Sequence, residues 1–374
     1  MKVDQDAVRW FRLRRSGLVD PFPSPVHAAQ ALVGVQAQML PAAGLALFNR
    51  CPGLTDAGFG DLLHGTRSLV RTWGQRTTLH VYARDDWSLI IGLLSQRLAE
   101  HESAPCPFGM PQAIYRDAIA HAERLLKGSE SLGRKGLSAS GLELGERCFS
   151  PWGGIFADLA YRGLACHVRR EEGEGRFAHR HNWLPDLEWS PPSYEEACAR
   201  LVKRYARTYG PVSERDLAWW LGARITDARR WLDELGDELV PVDGPDGTAL
   251  LRKEDATVLQ ERPPPTRRWP LIMLYRFDPL LVGFRDREWV VREEHHDLVS
   301  RPAGHIEGVV LGPLDGMACA TWKYAREGGG ITVSVSPFRP LEPEVKRGIK
   351  VRSKALAAYF GLSLNGVRFA RALG

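Results

Sequence analysis

No two of the six cysteines form a CxxC pair: Cys51, Cys106, Cys148, Cys166, Cys198 and Cys319 stand alone. A zinc ribbon or an iron–sulfur cluster needs paired thiolates, so neither is expected. The thiols read as reduced and cytosolic. No apolar run is long enough to span a bilayer. The opening MKVDQDAVRWFRLRR is a charged amphipathic helix without the apolar core of a secretory signal. A cytoplasmic protein with no membrane partner is expected. Carboxylates are missing from one long stretch, because no Asp or Glu lies between Pro21 and Thr55. A strong charge bias is also missing. A formal net charge of +5 over 374 residues does not by itself mark a nucleic-acid binder.

What is present is a globular composition, 44% apolar and 25% charged, long enough for roughly two to four domains. Twelve tryptophans occur, several beside arginine: Arg9-Trp10, Arg230-Trp231 and Arg268-Trp269. These pairs read as rims of a core in preference to cation–π or DNA-facing edges.

Three segments repeat one theme of helices followed by a basic two-stranded ribbon. In residues 1–105, helices are expected over 4–16 and 25–39. A third follows in GLTDAGFGDLLHG, and strands in SLVRTWGQRTTLHVYA. In 106–190, AIYRDAIAHAERLLKG is a helix, PWGGIFADLAYRGLACHVRR a helix entering a strand, and EEGEGRFAHRHNWLP a hairpin. In 191–260, SYEEACARLVKRYARTYG is a helix with Ser193 as N-cap and Glu196 in the capping-box position. VSERDLAWWLG follows, capped by Ser213. ITDARRWLDELGDELVPV then starts at a Thr226 cap and runs into a strand, a PDG turn and a second strand. Helix, turn, helix and ribbon make a winged helix-turn-helix. The fold class is therefore α+β, three tandem winged helices plus a small β-rich domain at 261–374. The proline-rich QERPPPTRRWP links that domain to the rest. Its strands are expected in LIMLYRF, EWVVREE, HIEGVVLG, MACATWKYA and ITVSVSPF, followed by the helix RSKALAAYFGL, in a barrel-like arrangement.

Tandem winged helices would point several basic ribbons one way. Arg71, Arg76, Arg169, Arg170, Arg176, Arg180, Arg200, Lys203, Arg204 and Arg207 are the candidate phosphate contacts. Any one of them could instead be a solvated face.

Gln36 and Gln38 flank Ala37 in the apolar stretch GVQAQMLPAAG. On a regular helix, residues two apart point away from one another. Pro41 disfavours helical geometry at Leu40 and clashes with the Ala37 carbonyl, which would loosen the helix and let the two side chains converge. An amide is no general base, but it accepts one hydrogen bond and donates others. Two amides can fix a water, which suffices only when the leaving group is already activated. Capping of the helix end or contact with phosphate is the alternative for this pair.

The chain resembles the AlkZ-type family of winged-helix DNA glycosylases over almost its whole length. The resemblance is carried by GVQAQ, LVRTWGQRTTLH, HRHNWLP, RYARTYGPVSERDLAWWLG, RFDPLLVGFRDR and TWKYAREGGGITVSVSPF. It implies three winged helices around a concave basic cleft. It also implies a catalytic Gln–apolar–Gln/Asp motif on Gln36-Ala37-Gln38, where the two amides position the attacking water. A DNA-entering hairpin is implied too, placed at 322–335 with Lys323 and Arg326 near a turn of Gly328, Gly329 and Gly330. The wing at 169–180 is the second candidate. The nearest subgroup implies excision of bulky N7-alkylpurines, including azinomycin-type interstrand crosslinks, and self-resistance to a DNA-alkylating natural product. The Gln–Asp form of the motif would have implied a broader enzyme. A monofunctional, monomeric enzyme on double-stranded DNA, with no cofactor and no metal, is expected. Two rivals are weighed. A winged-helix transcription regulator would read bases with WLGARITDARRWL, much of which is apolar. A nuclease would need carboxylates such as Asp278 and Asp286 for a metal, but these acids sit among arginines and read as their partners.

Overall fold

The computed structural model describes residues 1–150, 152–244, 247–301 and 304–372. Helices and strands are mixed, and the chain divides into two compact units, Met1–Phe59 with Leu201–Gly374, and Gly60–Arg200. Among the described residues, no helix is long and apolar enough to cross a membrane.

The first unit opens with the helix Gln5–Arg15. Asp4 caps it, accepting from the Ala7 N–H at 2.7 Å, and Arg12, Arg14 and Arg15 fill its last turn, where cations suit the helix dipole. Tyr194–Tyr209 ends at Gly210 before Pro211, as the proline spacing predicts, and the Ser193 hydroxyl accepts from the Glu196 N–H at 3.3 Å. Glu214–Leu221 carries the reciprocal capping box of Ser213 and Asp216 and stops at Gly222 with φ 72°. The next helix, Ile225–Glu234, is capped two residues earlier than expected. Its N-cap is Arg224, and Thr226 lies inside the first turn. Ala228, Trp231 and Leu232 of that helix are buried, so much of its surface is core. Strands Leu239–Gly244 and Gly247–Arg252 pair as a ribbon; the Pro245 and Asp246 of the PDG turn lie outside the described residues.

The C-terminal sheet runs in the order Ser363–Phe369, Gly330–Pro337, Ala318–Glu327, Gly308–Leu311, Ile272–Leu274. Its order is open, which corrects the barrel expectation. Ser363–Phe369 joins parallel to Gly330–Pro337 through the helix Pro343–Tyr359, a crossover that leaves two edges. EWVVREE is not a strand. The Arg287 carbonyl accepts from both Val290 and Val291 N–H groups, closing a turn, although both valines are buried. Trp322, Ile331, Val333 and Val335 pack against Ile349 and Leu356 of the helix. Each such side chain taken out of water contributes roughly 1.5–3 kcal/mol.

In the second unit, strands Leu79–Ala83, Leu69–Trp73, Ala165–His167, Arg176–His179 and Leu132–Gly133 lie side by side in that order. Helices Gln112–Lys127 and Gly154–Tyr161 cover a core in which Phe156 stacks on Phe177 at 4.2 Å. The Tyr115 hydroxyl is buried against the Asp158 carboxylate, and burial raises the pKa of both groups.

Candidate functional site

The helix carrying the approach to Gln36 is shorter than its sequence predicts. It spans Pro25–Ala31, capped by Ser24, and ends far before Pro41. Val33 and Gly34 take φ of 54° and 85°, and the Gly34 N–H turns back to the Ala29 carbonyl at 2.8 Å. Two side chains distant in sequence clasp this terminus. Thr208 Oγ1 donates to the Ala31 carbonyl at 2.6 Å and Tyr209 Oη to the Leu32 carbonyl at 3.1 Å. Carbonyls that a longer helix would have used are thereby satisfied.

The chain then runs extended through Val35–Gln36 and bends at Gln38 before the helix Leu40–Phe48. Pro41 lies in that helix's first turn, where its missing N–H costs nothing. Pro41 therefore starts a helix here and breaks none. The helix that Pro41 was expected to loosen is therefore absent around Gln36 and Gln38, and these two residues lie on the non-helical stretch between two helices. Ala37 is fully buried, Gln36 is 9% exposed and Gln38 is exposed. The glycine at Gly44 lets Tyr359 approach, because a Cβ there would meet its Oη at 2.3 Å.

Just past this helix, Arg50 and Asp278 form an ion pair in which both side chains are 0% exposed. The guanidinium donates to both carboxylate oxygens at 2.8 and 2.7 Å, and to the Ser16 and Ala46 carbonyls at 2.8 Å. Asp278 is thus an arginine's partner. Asp286 is exposed beside Arg287. Among the described residues, no cluster of three metal-ligating side chains exists.

The candidate cations divide into engaged and crowded groups. Arg180 is only 8% exposed, lies 3.7 Å over the Trp189 ring and donates to the Gly163 carbonyl at 3.1 Å, so it serves packing. Arg176 donates to the Ser131 carbonyl at 2.8 Å. Lys203 is exposed but sits 2.6 Å from Glu238, and Arg200 lies 3.8 Å from Glu196. Arg204 and Arg207 line a cavity of about 620 Å³ with Arg14, Arg15 and His27. The crowded group is on the second unit. Burial pushes the Arg71 guanidinium down to about 10, with Arg170 adding repulsion. Burial lowers His64 as well, with Arg169 adding to it. Arg169 and Arg170 are exposed.

The 322–335 hairpin exists, but its turn is tighter than expected. Glu327 pairs with Gly330, leaving only Gly328 and Gly329, at φ 56° and 75°, to close it. Gly330 is the last paired residue, where a Cβ would meet the Asn365 amide. Lys323 is exposed. Arg326 lies 4.2 Å over Phe360 and 3.6 Å from Asp56. Arg76 is half-buried at the apex of the 69–83 hairpin, where Thr77 shares its left-handed backbone. Nothing in the residue types around Thr77 signals that conformation.

Comparison with known proteins bears on all these residues together. The family model described as DNA glycosylase AlkZ-like matches residues 29–359. An interstrand DNA cross-link repair glycosylase of Streptomyces sahachiroi is 27% identical over 365 residues, covering 92% of this chain and 93% of that protein. The solved structure of the Streptomyces sahachiroi DNA glycosylase AlkZ superposes with a TM-score of 0.81 at 25% identity. The match covers 99% of this chain and 100% of the other.

Proposed function

The chain belongs to the AlkZ-like family of DNA glycosylases, and from that premise we propose that it hydrolyses the N-glycosidic bond of N7-alkylated purines, bulky adducts and interstrand crosslinks included. The observation that carries the reading is the non-helical Gln36-Ala37-Gln38 segment that leaves the strand Val35–Gln36, with a buried alanine between two amides. Neither amide can take a proton near neutral pH, but each can hold a water by accepting one of its hydrogens or donating to its oxygen.

Alkylation at N7 places positive charge on the purine, so the base leaves as a neutral molecule without a strong acid. The water oxygen bonds to the anomeric carbon, the carbon–N9 bond breaks with its electron pair going to the purine, and the water's proton passes to solvent. Positioning the water is then the main contribution asked of the protein. No lysine nucleophile is required, so the product is an abasic site. A crosslinked base is tied to the opposite strand and cannot be flipped fully out, which favours an enzyme that brings water to the lesion.

Arg71, Arg76, Arg169, Arg170, Arg204 and Lys323 are assigned to the phosphates; Arg180, committed to Trp189, is left out. Three winged helices over 1–105, 106–190 and 191–260, and a C-terminal part over 261–374 whose hairpin enters the duplex, remain the organisation we propose. Defence against a DNA-alkylating natural product is the proposed role, supported by the likeness to a Streptomyces crosslink-repair glycosylase. The test is release of free base, in EDTA, from duplexes bearing N7-methylguanine, a bulky N7 adduct and an N7–N7 crosslink. Release of none of the three would overturn the reading.

A further inference from the structure

Arg76 and Thr77, at the apex of the 69–83 hairpin, hold φ of 53° and 54°. Left-handed backbone is strained for any residue with a Cβ and most of all for a β-branched one. Six non-glycine residues among those described have positive φ, and these two are the pair that adjoin. The chain has another hairpin whose turn needs two consecutive left-handed residues, and there it places Gly328 and Gly329, which reach that conformation freely. Turn geometry alone therefore does not account for Arg76 and Thr77.

The stem below the apex is built to hold it. The Gly74 N–H donates to the Thr78 carbonyl at 3.0 Å, and Thr78 Oγ1 donates to the Gln75 carbonyl at 3.2 Å. His80 Nδ1 lies 3.0 Å from the same Thr78 carbonyl, and the Tyr82 hydroxyl donates to Gln75 Oε1. Gln75, His80 and Tyr82 are at most 3% exposed. A Cβ on Gly74 would overlap the Tyr82 hydroxyl, so the stem closes only around glycine. Arg76 and Thr77 are themselves only half-buried, so the strain lies at the accessible end of a rigid support. Strain of this kind persists where the surroundings over-determine it, and it gathers at sites of function. Thr77 Oγ1 donates to the Arg76 carbonyl at 2.7 Å, which ties the two residues into one orientation.

We propose that this apex is preformed, with Thr77 as the positioning residue that fixes Arg76, assigned above to the phosphates, against the backbone of the substrate duplex. A guanidinium meets phosphate oxygens in a bidentate geometry, and a fixed backbone lets it do so without ordering a flexible loop on binding. The inference rests on the glycosylase reading.

Thr77→Gly tests it, because glycine removes the strain and the fixed orientation together. Thr77→Ser, which keeps the hydroxyl, is the rescue, and wild type and Gln36→Ala are run alongside. The expected result for Thr77→Gly is a melting temperature equal to or above wild type. Duplex affinity should fall by about tenfold and excision at subsaturating duplex in parallel, with Thr77→Ser near wild type. Arg76→Gly should match or exceed that loss. A Thr77→Gly protein that melts higher yet binds and excises as wild type would overturn the proposal, as would one that melts well below wild type. If wild type releases no base, the glycosylase reading fails on its own, and duplex affinity alone decides the role of the apex.

Discussion

Replacing Asp278 by Asn removes one charge from an ion pair with no solvent access and leaves the shape almost unchanged. Arg50 then keeps its contacts to the Ser16 and Ala46 carbonyls but loses the carboxylate that neutralises it, at 0% exposure. Asp278 also accepts from the Leu280 N–H at 3.0 Å, and the amide oxygen of Asn can still do so. The loss is therefore mainly electrostatic. An uncompensated buried charge costs about 3–5 kcal/mol, which for a body of this size lowers Tm by roughly 6–20 °C. Arg50 follows the helix Leu40–Phe48, whose start adjoins Gln38, so its release should slacken the site too. Thermal unfolding of Asp278→Asn, Arg50→Met and the double variant Arg50→Met/Asp278→Leu measures the coupling. The double variant should recover much of the loss, because a packed apolar pair replaces a buried ion pair at little cost. A Tm within about 2 °C of wild type for Asp278→Asn would refute the reasoning, since water would then be solvating the arginine.

Gln36→Ala and Gln38→Ala should each cut base release by roughly a hundredfold with duplex affinity nearly unchanged, measured by single-turnover excision beside equilibrium binding; a parallel loss of binding would exclude the water-holding role. Gln38→Asp should still release N7-methylguanine, because a carboxylate also orients water. Burial pushes His80 down to about 3 and holds His167 well below its ordinary value. The unfolded chain then binds protons that the folded one refuses, so stability falls as pH drops below about 6.5, at about 1.4 kcal/mol per pH unit for each histidine. Denaturant titrations of wild type and His80→Gln from neutral pH to about 4.5 should show the variant losing less on acidification, and an equal slope would count against this assignment. Lys323→Ala should reduce release of crosslinked and bulky adducts more than release of N7-methylguanine, and equal rates on all three substrates would make the 322–335 hairpin scaffold.

Helix caps and chain breaks that depend on neighbours in sequence were legible from the residues alone. Ser213 with Asp216, the stop at Gly210-Pro211 and the hairpin at 69–83 are of this kind, because a cap or a turn is decided within a few residues; the hairpin expected over 171–185 instead pairs Arg176–His179 with Ala165–His167, and Arg180–Trp183 is helical. The Gln-Ala-Gln segment was legible as a chemical motif too, since two amides in an apolar, carboxylate-free stretch stand out without a fold. Its backbone was not. A proline after a helical pattern reads equally as the end of one helix or the start of another, and Thr208 and Tyr209 clasp the Ala31 and Leu32 carbonyls from far along the chain to decide for the second. The strand Ser363–Phe369 and the open order of its sheet likewise depend on a parallel partner reached across a helix. Asp278 reads from the sequence as a partner of arginine, but only the fold makes that arginine Arg50 and buries the pair completely. The left-handed Arg76 and Thr77 have no local signature, because their residue types disfavour that backbone and only the buried Gln75, His80 and Tyr82 beneath them hold it in place. Local sequence thus determined the chemistry on offer and most helix ends, while tertiary contacts decided which backbone presents that chemistry, since contacts distant in sequence can outweigh the preference of any single residue for its own conformation.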